Sequence, residues 1–362
     1  NISIVLLYLD ENKQRISHNI LQANRNHTIE LPYETEFIRF GLRVLSSGEA
    51  KIKSLIFGHK DLQPEKVFGQ SDVLILTNHY PSYDDLYRNG FVHSRAKAYQ
   101  TENVNVDVFR LRQGEPISWH EYQNINVITG AQAALRKMLG SGQYRHVLVH
   151  FLDAQMWEVL LEYIDTIKVT VWVHGAEVQP WWRRKYNYTT PEELEVAKGE
   201  SEIRIAFWQD LTKQLNENVQ FVFVSKYFAE EVMGDIEYRF AENQYTVIHN
   251  PIDTEIFNYV KKDVSQRKKI LSIRPYASAK YANDLSVKAI LELSKKPYFS
   301  ELEFKMIGDG KLFDEILEPL RKFDNVIIQR GFLKQNEIAD LHKEYGVFLT
   351  PTRMDAQGVS RD

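Results

Sequence analysis

The sequence predicts an α/β protein of two Rossmann-like domains facing a cleft, preceded by a small antiparallel β region. Three observations predict it. From about residue 71, short apolar strands alternate with helical stretches, as they do where both faces of a parallel sheet are covered. That pattern breaks at Asn250-Pro251 and then restarts. Residues 1–66, by contrast, carry period-two patterning only.

The β region comes first. Ile2 to Leu9 is a β-branched and aliphatic run. Thr28-Ile29-Glu30-Leu31 is a short alternation, and Phe37 to Leu45 alternates more clearly. Ser46-Ser47-Gly48-Glu49 is a turn, and Ala50 to Phe57 alternates again, so these two segments predict an antiparallel hairpin. About 65 residues give few strands for a free-standing sandwich, and Gln63-Pro64-Glu65 is the expected linker.

The first Rossmann-like domain is expected over residues 71–250. Its strands are Val73 to Thr77, Val104 to Phe109, His146 to Phe151, Val169 to Val173, Phe221 to Val224 and Tyr245 to Ile248. Ala131 to Leu139 and Met156 to Tyr163 are helical between them. Thr190-Pro191-Glu192-Glu193 places a cap residue, a Pro at the first helical position and a Glu at the third, and opens a long helix towards Leu215. The second domain is expected over 251–362. It has strands Lys269 to Ile273, Glu303 to Ile307, Val326 to Ile328 and Val347 to Thr350, with helices at Leu285 to Leu293, Leu312 to Leu320 and Ile338 to His342.

Composition narrows the function. The chain has 362 residues, enough for roughly two to three domains of about 150 residues each. Hydrophobic residues make up 43% and charged residues 26%, ordinary for a globular protein. Net charge is -4 and the 45 basic residues are scattered, which argues against a dedicated nucleic-acid binder. With no cysteine, disulfide frameworks, thiolate zinc sites and cysteine nucleophiles are excluded. No apolar run reaches the roughly 18 residues that cross a bilayer, and the N-terminus lacks the basic start of a signal peptide. The first residues lie inside an apparent strand and the last carry no stop signal, so both ends are expected to be cuts through a longer protein. The expected location is cytoplasmic, with peripheral contact at the inner face of a membrane.

Three segments carry the chemistry. In Ser272 to Ala282 a strand ends, Arg274 follows at once and Lys280 comes six residues later, before a helix. An Arg can grip phosphate oxygens through two parallel hydrogen bonds and a Lys adds a compact charge, so the pair can neutralise a diphosphate. The alternative is an Arg paired with a nearby carboxylate and a solvated Lys. In Met306-Ile307-Gly308-Asp309-Gly310 a strand runs into Gly-x-Gly and then a helix, which permits close backbone approach to an anion. Many strand–helix turns use the same glycines structurally. In Pro351 to Val359 a strand empties into a loop with Asp355, able to bind sugar hydroxyls, and then Gly358 and Val359.

In order and spacing these segments resemble the C-terminal half of family 4 retaining glycosyltransferases, which have the GT-B fold. The likeness extends to Val224-Ser225-Lys226 and to His249 through Phe257, which resembles the family's interdomain segment with Pro251 in place of a Gly. It covers residues 71–362. By that resemblance Arg274 and Lys280 are the phosphate pair, Asp355 stands in place of the first Glu of the sugar-binding loop, and Gly308, Asp309, Gly310, Gly358 and Val359 contact the donor. Gly90, after Asn78-His79-Tyr80-Pro81, belongs to the loop facing donor phosphates and acceptor. His174, at the end of strand Val171-Trp172-Val173, is the residue that lines the donor sugar, and Glu177 orients an acceptor. His150, on an earlier strand end, reads as structural. Trp181-Trp182, beside Arg183, Arg184 and Lys185, can stack on an acceptor sugar, meet a headgroup layer, or pack as a loop.

Two departures bear on activity. Tyr281 follows Lys280 where the family has Gly, so the backbone is expected to approach phosphate less closely. The acid that holds the nucleotide ribose would fall one place beyond Asp362, so the chain as it stands is expected to bind donor poorly and to be inactive. No metal is expected: Asp84-Asp85 is a loop pair rather than the Asp-x-Asp of metal-dependent transferases, and the 11 His residues show no tight ligand spacing. No cofactor is implied, since the nucleotide-sugar is a substrate.

The expected activity is transfer of a sugar from a nucleotide-sugar donor to a glycan or lipid-linked acceptor with retention, in cell-surface polysaccharide synthesis. Two rivals are a catalytically inactive carbohydrate-binding or assembly protein on the same scaffold and a nucleotide-sugar epimerase. The β region is loosely similar to the end of a carbohydrate-binding sandwich.

Overall fold

The computed structural model describes residues 2–45, 51–62, 71–83, 85 and 88–357. The chain divides into two compact units, Asn1–His146 and Val147–Asp362.

The first unit opens with three antiparallel strands, β1 (Ile2–Leu9), β2 (Arg15–Gln22) and β3 (Phe37–Val44), in the order β2-β1-β3. Leu6 and Tyr8 alternate on the buried face of the central strand. The sequence-based pairing is corrected here. The Phe37 segment pairs with β1, not with residues 50–57. The latter contribute only β4 (Leu55–Phe57), which folds through Gly58 onto β5 (Lys60–Leu62). Thr28 to Leu31 is not a strand, and the second partner of β1 is the unanticipated β2, whose outward Ile16 and Ile20 blurred its alternation. The Ser46 turn and the Gln63-Pro64-Glu65 linker lie outside the described residues.

The unit continues with β6 (Val73–Thr77), α1 (Gly90–Thr101), β7 (Asp107–Leu111), β8 (Ser118–Tyr122), β9 (Ile125–Gly130) and α2 (Gln132–Leu139). β6, β7 and β9 run parallel, and β8 returns antiparallel against β9. This hairpin, too, escaped the sequence reading. Its two-residue turn uses Gln123 and Asn124, both left-handed, at φ 46 and 68. That is the geometry that matches the twist of the flanking strands, here without the usual Gly.

The second unit holds two parallel sheets. In the first the order is β13-β12-β11-β10, formed by β10 (His146–His150), β11 (Lys168–Val173), β12 (Val219–Phe223) and β13 (Tyr245–Val247). Helices α3 (Ala154–Leu161), α4 (Pro191–Thr212) and α5 (Lys226–Asp235) connect them. Asp153 caps α3 through the backbone N–H of Met156, and Thr190 with Glu193 closes the expected capping box of α4. The second sheet is β16-β15-β14-β17, from β14 (Lys269–Ile273), β15 (Glu303–Gly308), β16 (Val326–Arg330) and β17 (Val347–Phe348). It is flanked by α6 (Asn283–Leu293), α7 (Phe313–Leu317) and α8 (Gln335–Glu344). Its core is Ile270, Tyr276, Val287, Ile290, Phe304, Met306 and Phe313. All four strands are parallel, so the loops after β14, β15 and β17 emerge at one edge. Ligands of open parallel sheets bind at that edge.

Candidate functional site

The site is built in the second unit from the loops at that edge. After β14 the chain turns through Arg274 to Ala282. The turn is shaped by the Gly308-Asp309-Gly310 segment pressed against it. Arg274 N–H donates to the Ile307 carbonyl at 3.0 Å, and Tyr276 N–H to that of Asp309 at 2.8 Å. A Cβ on Gly308 would lie 1.9 Å from the Arg274 carbonyl oxygen, and one on Gly310 2.3 Å from the Tyr276 carbonyl carbon. The two glycines thus let their own chain approach the Arg274 loop. Asp309 is turned to Arg330, its carboxylate 3.1 Å from the guanidinium.

The loop after β17 is tied to the same turn. Arg353 forms a two-pronged pair with Asp284, both bonds at 2.7 Å. Its backbone N–H and the Thr352 hydroxyl both donate to the Lys280 carbonyl. The Ser225 hydroxyl caps α5 and donates to the Ala356 carbonyl at 2.7 Å, and Asn250 N–H donates to Gln357 Oε1 at 2.7 Å. Two of the sequence segments that carried the resemblance therefore touch the Asp355 loop directly. Gly358 and Val359 lie outside the described residues.

These ties bring Arg274, Lys280 and Asp355 together. Arg274 is only 6% exposed, and its guanidinium lies 5.0 Å from the centre of the Tyr281 ring. The Lys280 ammonium lies 5.0 Å from the same ring. Tyr281 is thus a shared platform for both cations. The sequence reading noted it only as a missing Gly. Asp355 is half-buried. Burial pushes its carboxyl up, while Lys280 and Arg274 pull it back down. Burial lowers Lys280; Asp355 opposes this, whereas Arg184 and Arg274 reinforce it. Among the described residues no carboxylate lies within ion-pair distance of the Lys280 ammonium. Arg184, Arg274 and Lys280 thus lie within electrostatic reach of one another beside Asp355, a grouping of cations that favours an incoming polyanion.

Arg184 is the member that sequence reasoning placed elsewhere. It sits in the 3-10 turn Trp181–Asn187, which Asn187 anchors to Ser278 at 2.5 Å. Its neighbour Arg183 is engaged by Glu231 and Asp235 on α5. Trp181 is half-buried under the Lys198 ammonium, 5.5 Å from its ring, and Trp182 is 48% exposed.

His174 lies beyond the end of β11. Its Nε2 is 2.9 Å from Nδ1 of the fully buried His150, and its ring packs on His150 and Phe151. Glu177 turns back onto the loop, where its carboxylate accepts from the N–H groups of His174 and Gly175, at 2.5 and 2.9 Å. The geometry makes it a support for the His174 loop. Burial pushes the Glu177 carboxyl up to about 7, against these N–H groups and Arg184. A carboxyl whose pKa rises on folding contributes stability that is full below its unfolded value and is lost as pH rises through the folded one. Relative to Glu177→Gln, the natural protein is expected to lose on the order of 1–3 kcal/mol between pH 4.5 and 7. Urea denaturation at each pH checks this, and parallel curves for the two proteins would contradict it.

Gly90 lies in the first unit as the first residue of α1, after a left-handed Asn89, with nothing within 4 Å of its Cβ position. Asp84 lies outside the described residues. Among the described residues no group of three or more His, Asp or Glu is placed to hold a metal ion, and no helix is long and apolar enough to cross a membrane.

No protein-family model matches the sequence, and no curated protein matches it. Solved structures do match. The chain is similar to the UDP-forming alpha,alpha-trehalose-phosphate synthase of Burkholderia vietnamiensis, with a TM-score of 0.55 and 10% identity over 80% of this chain and 78% of that one. It is similar to the alpha,alpha-trehalose 6-phosphate synthase of Burkholderia multivorans, with a TM-score of 0.51 and 10% identity over 80% and 78%. The pneumococcal O-GlcNAc transferase GtfA, solved with UDP and GlcNAc, gives a TM-score of 0.51 and 12% identity over 80% and 81%. At these identities the likeness is one of fold, and the fold is GT-B, as expected from the sequence.

Proposed function

We propose that the chain is a glycosyltransferase of the family 4 kind, moving a sugar from a nucleotide-sugar donor to a hydroxyl acceptor with retention and without a metal. Residues 71–250 form its acceptor side and 251–362 its donor side. The observation that carries the reading is the convergence of Arg274 and Lys280 on the Tyr281 ring beside Asp355.

Arg274, Lys280 and Arg184 face the diphosphate of the donor. As the bond from the anomeric carbon to the leaving oxygen breaks, charge grows on that diphosphate, and fixed cations in a half-buried site stabilise it without reorganising. They supply the role a metal plays in other transferases. Asp355 and His174 hold the sugar through its hydroxyls. The acceptor hydroxyl attacks the anomeric carbon from the face the diphosphate leaves and gives its proton to the departing phosphate oxygen, so configuration is retained. The glycan made belongs in this reading to cell-surface polysaccharide.

The test is to incubate the full-length protein with nucleotide-sugars and candidate acceptors, following the anomeric protons by NMR. Release of nucleoside diphosphate with a product of the donor's configuration is expected. An inverted product would refute retention, and absence of release from every nucleotide-sugar would favour an inactive carbohydrate-binding protein.

Tyr281 supplies a finer test. Tyr281→Phe keeps the ring and is expected to lose less than about threefold in turnover. Tyr281→Ala removes the platform under both cations and is expected to cost about 1–2 kcal/mol of transition-state stabilisation, roughly tenfold in rate. Equal rates for the two variants would show that the ring does not position the cations.

A further inference from the structure

The first unit contains a cavity of about 190 Å³ at the carboxyl ends of two parallel neighbours, β6 and β7. Its walls are His79, Tyr80, Ser82, Asp85 and Arg88, which follow β6, and Arg110 and Arg112, at and just after the end of β7. Three arginines thus line one small space.

Their partners are fewer. Arg88 gives its Nε to Asp85 at 2.8 Å. A single carboxylate, Glu115, serves both Arg110, at 2.7 Å, and Arg112, at 3.0 Å. Arg110 also donates Nε–H to the Thr129 hydroxyl at 3.1 Å. Among the described residues, three guanidiniums are therefore set against two carboxylates. Arg88 and Arg112 spend only Nε on these pairs, and their terminal nitrogens hold no hydrogen bond to the described residues. The side chains are 57% and 41% exposed, where ion pairs contribute little to stability. Burial and the positive field of Arg88, Arg112 and Arg110 depress the His79 imidazole below its ordinary range.

We propose that this cavity is an oxyanion site that takes the charged group of a small sugar, a phosphate ester above all. Paired N–H groups of arginine match the oxygens of phosphate, and carboxylate more weakly shares that geometry. The space equals that of about six water molecules, enough for the charged group and the adjoining part of a sugar ring. Resting on the transferase reading, the sugar is the acceptor, so the enzyme selects an acceptor that carries negative charge.

The test is calorimetric titration of the full-length protein at 0.15 M salt with four probes: inorganic phosphate, a hexose 6-phosphate, a hexuronate and the neutral hexose. Arg112→Gln is the main variant, with Arg88→Gln as the second because that side chain is more than half exposed. The hexose phosphate is expected to bind better than the other three. Its affinity should fall at least tenfold in either variant while binding of a nucleoside diphosphate is unchanged. Preference for the hexuronate would keep the oxyanion site and reassign its ligand. Equal binding of the neutral hexose, or hexose-phosphate binding unchanged in both variants, would overturn the proposal. Hexose-phosphate binding without any nucleoside diphosphate binding would leave the oxyanion site standing and remove the transferase reading.

Discussion

Replacing Lys280 with Ala is expected to lower the transfer rate of the full-length protein about 100-fold at saturating donor, the usual cost of removing one charge-stabilising donor. The ammonium is set between Asp355 and two arginines, and burial already lowers its pKa. It is therefore a charge the fold tolerates rather than one the fold needs, and its loss should leave the melting temperature near that of the natural protein. Turnover should fall more than donor affinity, because charge on the leaving diphosphate is greater in the transition state than in the bound donor. Lys280→Arg keeps the charge but changes its shape, and intermediate activity is expected. Steady-state kinetics with a single donor checks both variants. Full activity in Lys280→Ala would take the residue out of the mechanism.

The second large effect is structural. Gly308→Ala is expected to destabilise the protein by more than about 3 kcal/mol, or to displace the Arg274 loop. The added Cβ would meet the Arg274 carbonyl oxygen at 1.9 Å and the Tyr276 ring at 2.9 Å, and the backbone at Gly308 has φ +156. Backbone cannot step aside as a long side chain can. Gly142→Ala is the control. There φ is also positive, at +73, but nothing lies within 4 Å, so only the conformational cost of about 1 kcal/mol applies. Urea denaturation separates the two. Equal effects would mean that the contact with Arg274 is not what requires glycine.

Much of the second unit was legible from pattern. Its strands are short apolar runs, and the Thr190 box and the strand-to-glycine turn at Gly308 have local sequence grammar. The first sixty residues were less so, because pairing among antiparallel strands is set by partners distant in sequence. Phe37 to Val44 could not announce that its partner is β1. Alternation alone does not tell neighbour from neighbour. The β8–β9 hairpin was missed for another reason, since Gln123 and Asn124 adopt left-handed backbone without a Gly to mark the turn.

The site shows the same division. Arg274, Lys280 and Asp355 stood out because each follows a strand. The roles of Tyr281 and Arg184 did not, since a ring under two cations and a third cation from a 3-10 turn exist only after the loops meet. Glu177 was visible as a carboxylate at a strand end. That it folds back on the backbone of His174 and Gly175 is a matter of rotamer and local turn, which composition does not encode.

The central claim is that Arg274 and Lys280 receive a diphosphate. The measurement that tests it most directly is calorimetric titration of the full-length protein with a nucleoside, its monophosphate and its diphosphate. Diphosphate is expected to bind at least tenfold more tightly than monophosphate, with an advantage that shrinks in high salt and shrinks again in Arg274→Met, where Lys280 and Arg184 remain. Equal affinity for monophosphate and diphosphate, or an advantage undiminished in Arg274→Met, would contradict the account.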